Sequence, residues 1–164
     1  MSLSGKTYWL VGASDGLGRA LALALDRKGA RVVVSARSAD RLAALAAEMK
    51  AGQALPVDVG DLAAVEAAGA RLPVLDGMIY CVGQYEPMRA QEWNTAAALA
   101  MCDANFTGAV RVLGQVLPGF VARDSGHVVL IGSLAGFRGL PGAIGYGASK
   151  SALMAFLPGQ PAAA

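Results

Sequence analysis

The sequence predicts an α/β fold: a three-layer, doubly wound parallel sheet with helices on both faces. Three observations predict it. Short apolar runs rich in β-branched and aromatic residues alternate with longer stretches rich in Ala and Leu. A glycine-rich turn follows the first run immediately. The runs are apolar at successive positions, as in Val32-Val33-Val34, which suits strands buried on both faces. Such alternation implies right-handed crossovers and a strand order of 3-2-1-4-5, with the ligand crevice where the winding reverses, outside strands 1 and 4.

Each element has a local reason. Residues 6–11 (K-T-Y-W-L-V) read as a first strand, and Arg19 to Lys28 as a helix. Arg31 to Ser35 reads as a second strand, and Ala39 to Lys50 as a helix with Ser38 as N-cap. Gln53 to Val57 reads as a third strand, Asp61 to Ala70 as a short helix and Asp76 to Val82 as a fourth strand. Trp93 to Val121 reads as one long helix with a break near Gly114 or Pro118. His127 to Ser133 is a fifth strand, and Ala143 to Phe156 a last helix that Pro158 should end early. A single domain over residues 1–164 is expected, irregular from about residue 157.

Composition narrows the function. The chain has 164 residues, 55% of them hydrophobic, and a net charge of +2. Buried parallel strands account for much of that hydrophobicity. No apolar run reaches the roughly 18–20 residues that span a bilayer, and Gly5 and Lys6 interrupt any signal-peptide core, so neither membrane nor export is expected. The small charge and the lack of a basic cluster argue against nucleic acid. Cys81 and Cys102 have no metal-ligand spacing and read as buried thiols in a reducing compartment, so cytoplasm is expected and no metal. His127, the one histidine, reads as structural.

Two motifs carry chemistry. Gly12-Ala-Ser-Asp-Gly16-Leu-Gly18 lies between the first strand and the first helix. Gly12 permits a tight turn, Gly16 a close approach of backbone to phosphate, and Gly18 close helix packing. Ser14, Asp15 and Leu17 complete the turn as expected cofactor contacts, and the helix's free N–H groups face a pyrophosphate. Near the other end, Ser133 precedes Tyr146 by thirteen residues, and Lys150 follows it by four. One helical turn places phenol and ammonium on one face. A cation beside a phenol favours the phenolate, which suits Tyr146 as a proton donor to an oxygen near neutral pH. The Ser133 hydroxyl can donate to an oxygen that gains charge.

Together these motifs resemble the short-chain dehydrogenase/reductase family, whose glycine spacing is G-x-x-x-G-x-G. The resemblance runs from residue 4 to about 156 and implies the Rossmann fold, an NAD(P) cofactor and hydride transfer to or from a small carbonyl or alcohol substrate. It implies that Tyr146 and Lys150 also touch the cofactor, with Lys150 holding ribose hydroxyls. Asn105 matches the helix asparagine that fixes a water and extends the proton relay. Asp58 and Val59 match the adenine contact, and Gly83 the backbone approach after strand 4. It also implies a homodimer or homotetramer formed through the long helix and the Tyr146 helix, or through a last strand.

Cofactor choice rests on Ser35-Ala36-Arg37-Ser38, which carries no carboxylate to favour NAD. Arg37 can pair with a 2′-phosphate, and Ser35 and Ser38 can donate to it, so NADP is expected over NAD. Asp15 stands where NADP-preferring relatives often carry a basic residue. Other departures are Val11 in place of Thr, and Cys81-Val82-Gly83 in place of Asn-Ala-Gly. Losing both members of a buried polar pair costs less than losing one. The segments that follow the Tyr/Lys helix in the family have no counterpart before residue 164, so a C-terminally truncated form is expected. A cofactor-binding module without catalysis is the alternative reading. An epimerase or dehydratase using the same Tyr/Lys pair is a weaker third.

Overall fold

The computed structural model describes residues 3–156. Among them, β1 (Thr7–Val11), β2 (Arg31–Ser35), β3 (Gly52–Ala54), β4 (Gly77–Tyr80) and β5 (His127–Leu130) form one sheet. They alternate with α1 (Gly16–Arg27), α2 (Ala39–Ala47), α3 (Leu62–Gly69), α4 (Thr95–Cys102), α5 (Gly108–Ala122) and α6 (Ile144–Ala155). All pairings are parallel and the order is β3-β2-β1-β4-β5, as the alternation requires. No helix among the described residues is long and apolar enough to cross a membrane.

Strand pleating explains the two cores. Successive side chains of β1 point to opposite faces, and both faces are apolar. Trp9 and Val11 join Val33, Met78 and Tyr80 under α3 and α5, with Leu153 of α6. Tyr8 and Leu10 join Val32, Val34 and Ile79 under α1 and α2, through Ala22, Leu42 and Leu45. β5, at the sheet edge, is only partly buried, whereas β4 beside it is buried throughout.

Several expected boundaries shift, each for a local reason. α1 begins at Gly16 and not Arg19, because the Asp15 side chain accepts from Gly16 N at 2.7 Å and caps the helix. The glycine turn is therefore the helix's first turn. β3 stops at Ala54, although Leu55 N and Val57 N still bond Val34 O and Ala36 O at 2.9 and 3.0 Å. Pro56 between them has no N–H to donate. β5 ends at Leu130, not Ser133, since β4 ends opposite it at Tyr80.

The long helix is interrupted neither at Gly114 nor at Pro118, both of which lie inside α5. Gly114 is exposed, so water reaches the carbonyl that Pro118 leaves without a donor. The break is instead a π-helical turn over Asp103–Thr107, centred on buried Asn105. Widened turns of this kind concentrate at functional sites. The expected end of the last helix at Pro158 lies outside the described residues.

Candidate active site

The reversal of winding between β1 and β4 opens a cleft of about 820 Å³ at the carboxyl ends of the strands. Its walls include Gly12, Ser14, Asp15, Gly16, Arg37, Asp58, Val59 and Gly83, all named by the sequence. Leu17 and Gly18 do not line it. Gly18 is buried against the Gly12 carbonyl, where a Cβ has no room, and Leu17 is exposed.

The glycines divide by role. Gly12 has φ +92°, and a Cβ on it would lie 2.6 Å from Val82 N. It is needed because the end of β4 packs on the turn. Gly16 has φ +50° and meets nothing within 4 Å, and Gly83 likewise faces open space. Two bare backbone surfaces at the start of α1 and the end of β4 thus border one cleft. That is the room a dinucleotide's phosphates and sugar require beside a helix N-terminus. The residues present fit such a cofactor.

Where β2 runs into α2, the rim of the cleft carries two arginines. Arg37 is exposed there. Arg41, which the sequence reading missed, stands one turn along α2 and pairs with Asp15 across the rim at 3.7 Å. Both partners are largely exposed, so the pair is weak and exchangeable. Ser38 caps α2 beside them. Ser35 is a correction. It is fully buried, accepts from Trp9 Nε1 at 2.8 Å and donates to Leu55 O at 2.6 Å, so it is not available to a ligand. Asp58 Oδ1 accepts from Gly60 N at 2.9 Å, which holds the carboxylate at the cleft wall. Arg111, also missed, bridges Asp103 and Val59 O at 2.8 and 2.9 Å and ties that wall to α5.

The departures at Val11 and Cys81-Val82 leave nothing stranded. Val11 is fully buried, and among the described residues no buried side-chain nitrogen or oxygen lacks a partner. Burial pushes the Cys81 thiol up from its ordinary range, and nearby Lys150 opposes this.

Tyr146 and Lys150 share one face of α6. Lys150 is buried, and its ammonium donates to Ile131 O at 2.9 Å and Val82 O at 3.4 Å, the carbonyls just past β5 and β4. Burial holds its pKa below the usual lysine value. Its Nζ lies 5.9 Å from the centre of the Tyr146 ring. Tyr146 is half-buried against Met88, Ala97, Ala98 and Met101. Ser133 Oγ accepts from Ala135 N at 3.2 Å and caps the turn Leu134–Gly136. That turn is fastened to α6 by Ser151 Oγ, which donates to Gly136 O at 2.6 Å.

Asn105 sits behind them. Its Oδ1 accepts from Gln84 N at 2.7 Å, while Nδ2 donates to Gln84 O and Ser149 Oγ, both at 2.9 Å. Ser149 Oγ in turn donates to Tyr146 O at 2.8 Å. The side chain expected to reach toward a water is committed to protein partners at all three of these bonds.

Residues 6–159 match the sequence pattern of the short chain dehydrogenase family. The chain belongs to that family. It is 37% identical to an uncharacterized oxidoreductase of Myxococcus xanthus over 94% of this chain and 64% of the relative. It is 38% identical to the glycine betaine reductase of Emericella nidulans over 90% of this chain and 12% of that protein. A solved short chain dehydrogenase/reductase family protein superposes with a TM-score of 0.91 at 31% identity, covering 95% of this chain and 67% of that one. The chain thus spans just under two thirds of the length of the Myxococcus relative.

Proposed function

We propose that this short-chain dehydrogenase binds NADP(H) in the cleft and reduces a small carbonyl compound, or oxidises the alcohol, with Tyr146 as the proton donor or acceptor. The observation that carries the reading is the buried Lys150 ammonium. It is tied to the carbonyls just past β4 and β5, one turn from Tyr146, beside a cleft edged by two bare glycines.

When bound, the dinucleotide supplies or takes the hydride. The chain's own residues handle the oxygen. Tyr146 gives its phenolic proton to the substrate oxygen. Lys150 has three N–H donors, and two of them rest on Val82 O and Ile131 O, so one remains for a phenolate or a ribose hydroxyl. Ser133 already accepts a backbone bond, which leaves its single hydroxyl proton to donate to the developing oxyanion. Asn105 holds the π-helical turn and the start of the 84–88 loop in place. Titrating NADPH fluorescence, then following its oxidation over a panel of aldehydes and ketones, tests this. Tight binding without oxidation of any carbonyl would reduce the chain to a binding module. No binding would end the reading.

NADP is favoured over NAD by Arg37, Arg41 and Ser38 around a rim that offers donors to a 2′-phosphate. Arg37→Ala with Arg41→Ala is expected to weaken NADPH binding about 10-fold or more, the scale of lost charge-assisted bonds at an exposed site. NADH binding should stay within about twofold, because it has no phosphate there. Equal losses for both cofactors would show that the arginines do not read the phosphate.

A second copy of this chain fits α5. Val110, Leu117 and Val121 are exposed along one stripe at helical spacing, and Leu99 of α4 is exposed as well. Val121→Asp is expected to shift the sedimentation coefficient toward that of a monomer. Unchanged association would place the interface elsewhere. Cys81 and Cys102 are free thiols, consistent with the reducing cytoplasm.

A further inference from the structure

We infer that Tyr85 sets the substrate class, and that the preferred substrate is a flat conjugated carbonyl, an aryl ketone or aryl aldehyde, seated against the Tyr85 ring beside the Tyr146 phenol. This rests on the redox site described above and specifies what that site accepts. Tyr85 lies in an irregular loop that follows β4, where a side chain would ordinarily be free to swing. Here the backbone on both sides of it is pinned. Before it, the Asn105 amide grips Gln84 at both N–H and carbonyl, 2.7 and 2.9 Å. After it, Glu86 N donates to Met101 Sδ at 3.3 Å, and Met88 N to Gly142 O at 2.9 Å. The same Asn105 amide continues through Ser149 Oγ to the Tyr146 carbonyl. One buried side chain therefore fixes the base of both tyrosines.

The rings meet as a result, with centroids 4.9 Å apart and planes tilted by 56°. Tyr85 remains 53% exposed. An aromatic surface on a pinned stretch of backbone, in contact with the proton donor and still open to solvent, is a wall for whatever lies beside both rings. Its quadrupole favours another π-system in an offset or edge-on arrangement over a saturated ring of equal size. A carbonyl conjugated to a ring is flat through its oxygen. It can lie along Tyr85 and present that oxygen to Tyr146 without turning the ring edge into water.

The test compares acetophenone with cyclohexyl methyl ketone, which match in size and differ in flatness. Binding to the full chain is measured by saturation-transfer NMR with NADP+ present and absent, so that no turnover intervenes. The unaltered protein should favour acetophenone about 3- to 10-fold, the usual worth of an aromatic pair. Tyr85→Phe should keep the preference, and Tyr85→Leu should lose it. NADPH titration of each variant checks that the cleft is intact. Equal affinity for the two ketones, a preference that survives in Tyr85→Leu, or no binding of either ketone would overturn the inference. NADPH oxidation with no aryl preference would sink this inference alone. Aryl preference without any oxidation would uphold it and sink the redox reading.

Discussion

Replacing Tyr146 with Phe should lower NADPH-dependent carbonyl reduction about 10²- to 10⁴-fold, the range of a general acid's contribution, while NADPH affinity stays within about threefold. The substitution removes one oxygen and keeps the ring. The ring packs against the apolar cluster of Met88, Ala97, Ala98 and Met101, and Phe keeps that ring. The Asn105–Ser149 chain ends on the backbone carbonyl of residue 146, which Phe retains. The Lys150 ammonium keeps both carbonyl partners. The Tyr85 ring contact also survives in kind. What is lost is the proton, and Ser133 cannot replace it, because an aliphatic hydroxyl is a far weaker acid than a phenol. The measurement is steady-state turnover beside a fluorescence titration of the same preparation. Turnover within threefold of the parent would remove Tyr146 from the chemistry.

The glycine turn and the Tyr/Lys pair were legible because backbone geometry forces residue type there. A cleft floor without side chains needs glycine, and two groups on one helical face need a spacing of four. The sheet order was legible for a related reason: strands apolar on both faces have to be covered twice. The π-helical turn at Asp103–Thr107 was not legible. A register shift in helical hydrogen bonds leaves no compositional mark, and Gly114 and Pro118 nearby look like better breakers. Only the amide of Asn105 inside an apolar helix hinted at it. Ser35 was misplaced through its position at a strand end, yet pleat parity puts it on the face of Val33, with Trp9 and Leu55. Arg41 was overlooked although it stands four residues after Arg37. The carboxylate that places it at the cleft, Asp15, is distant in sequence.

Gly12→Ala should destabilise the fold by about 3 kcal/mol, combining left-handed backbone strain with overpacking, while Gly83→Ala should change stability by no more than about 0.5 kcal/mol. Both glycines border the cleft. Their surroundings differ. At Gly12 a methyl would sit 2.6 Å from Val82 N and 2.7 Å from the Cys81 carbonyl carbon, both backbone atoms at the end of a buried strand. Cys81 N is itself bonded to Val11 O at 2.7 Å, so β4 cannot retreat without breaking the sheet between β1 and β4. At Gly83 the methyl meets nothing within 4 Å and enters the cleft. Its cost should appear only on binding, as about a 10-fold weaker NADPH complex, the scale of overpacking by one methyl group. Urea unfolding and NADPH titration of the two variants separate the roles. A Gly12→Ala protein as stable as the parent would mean the turn and β4 are less tightly engaged than described. A Gly83→Ala protein that binds NADPH undiminished would move the cofactor away from the end of β4, and with it away from Lys150.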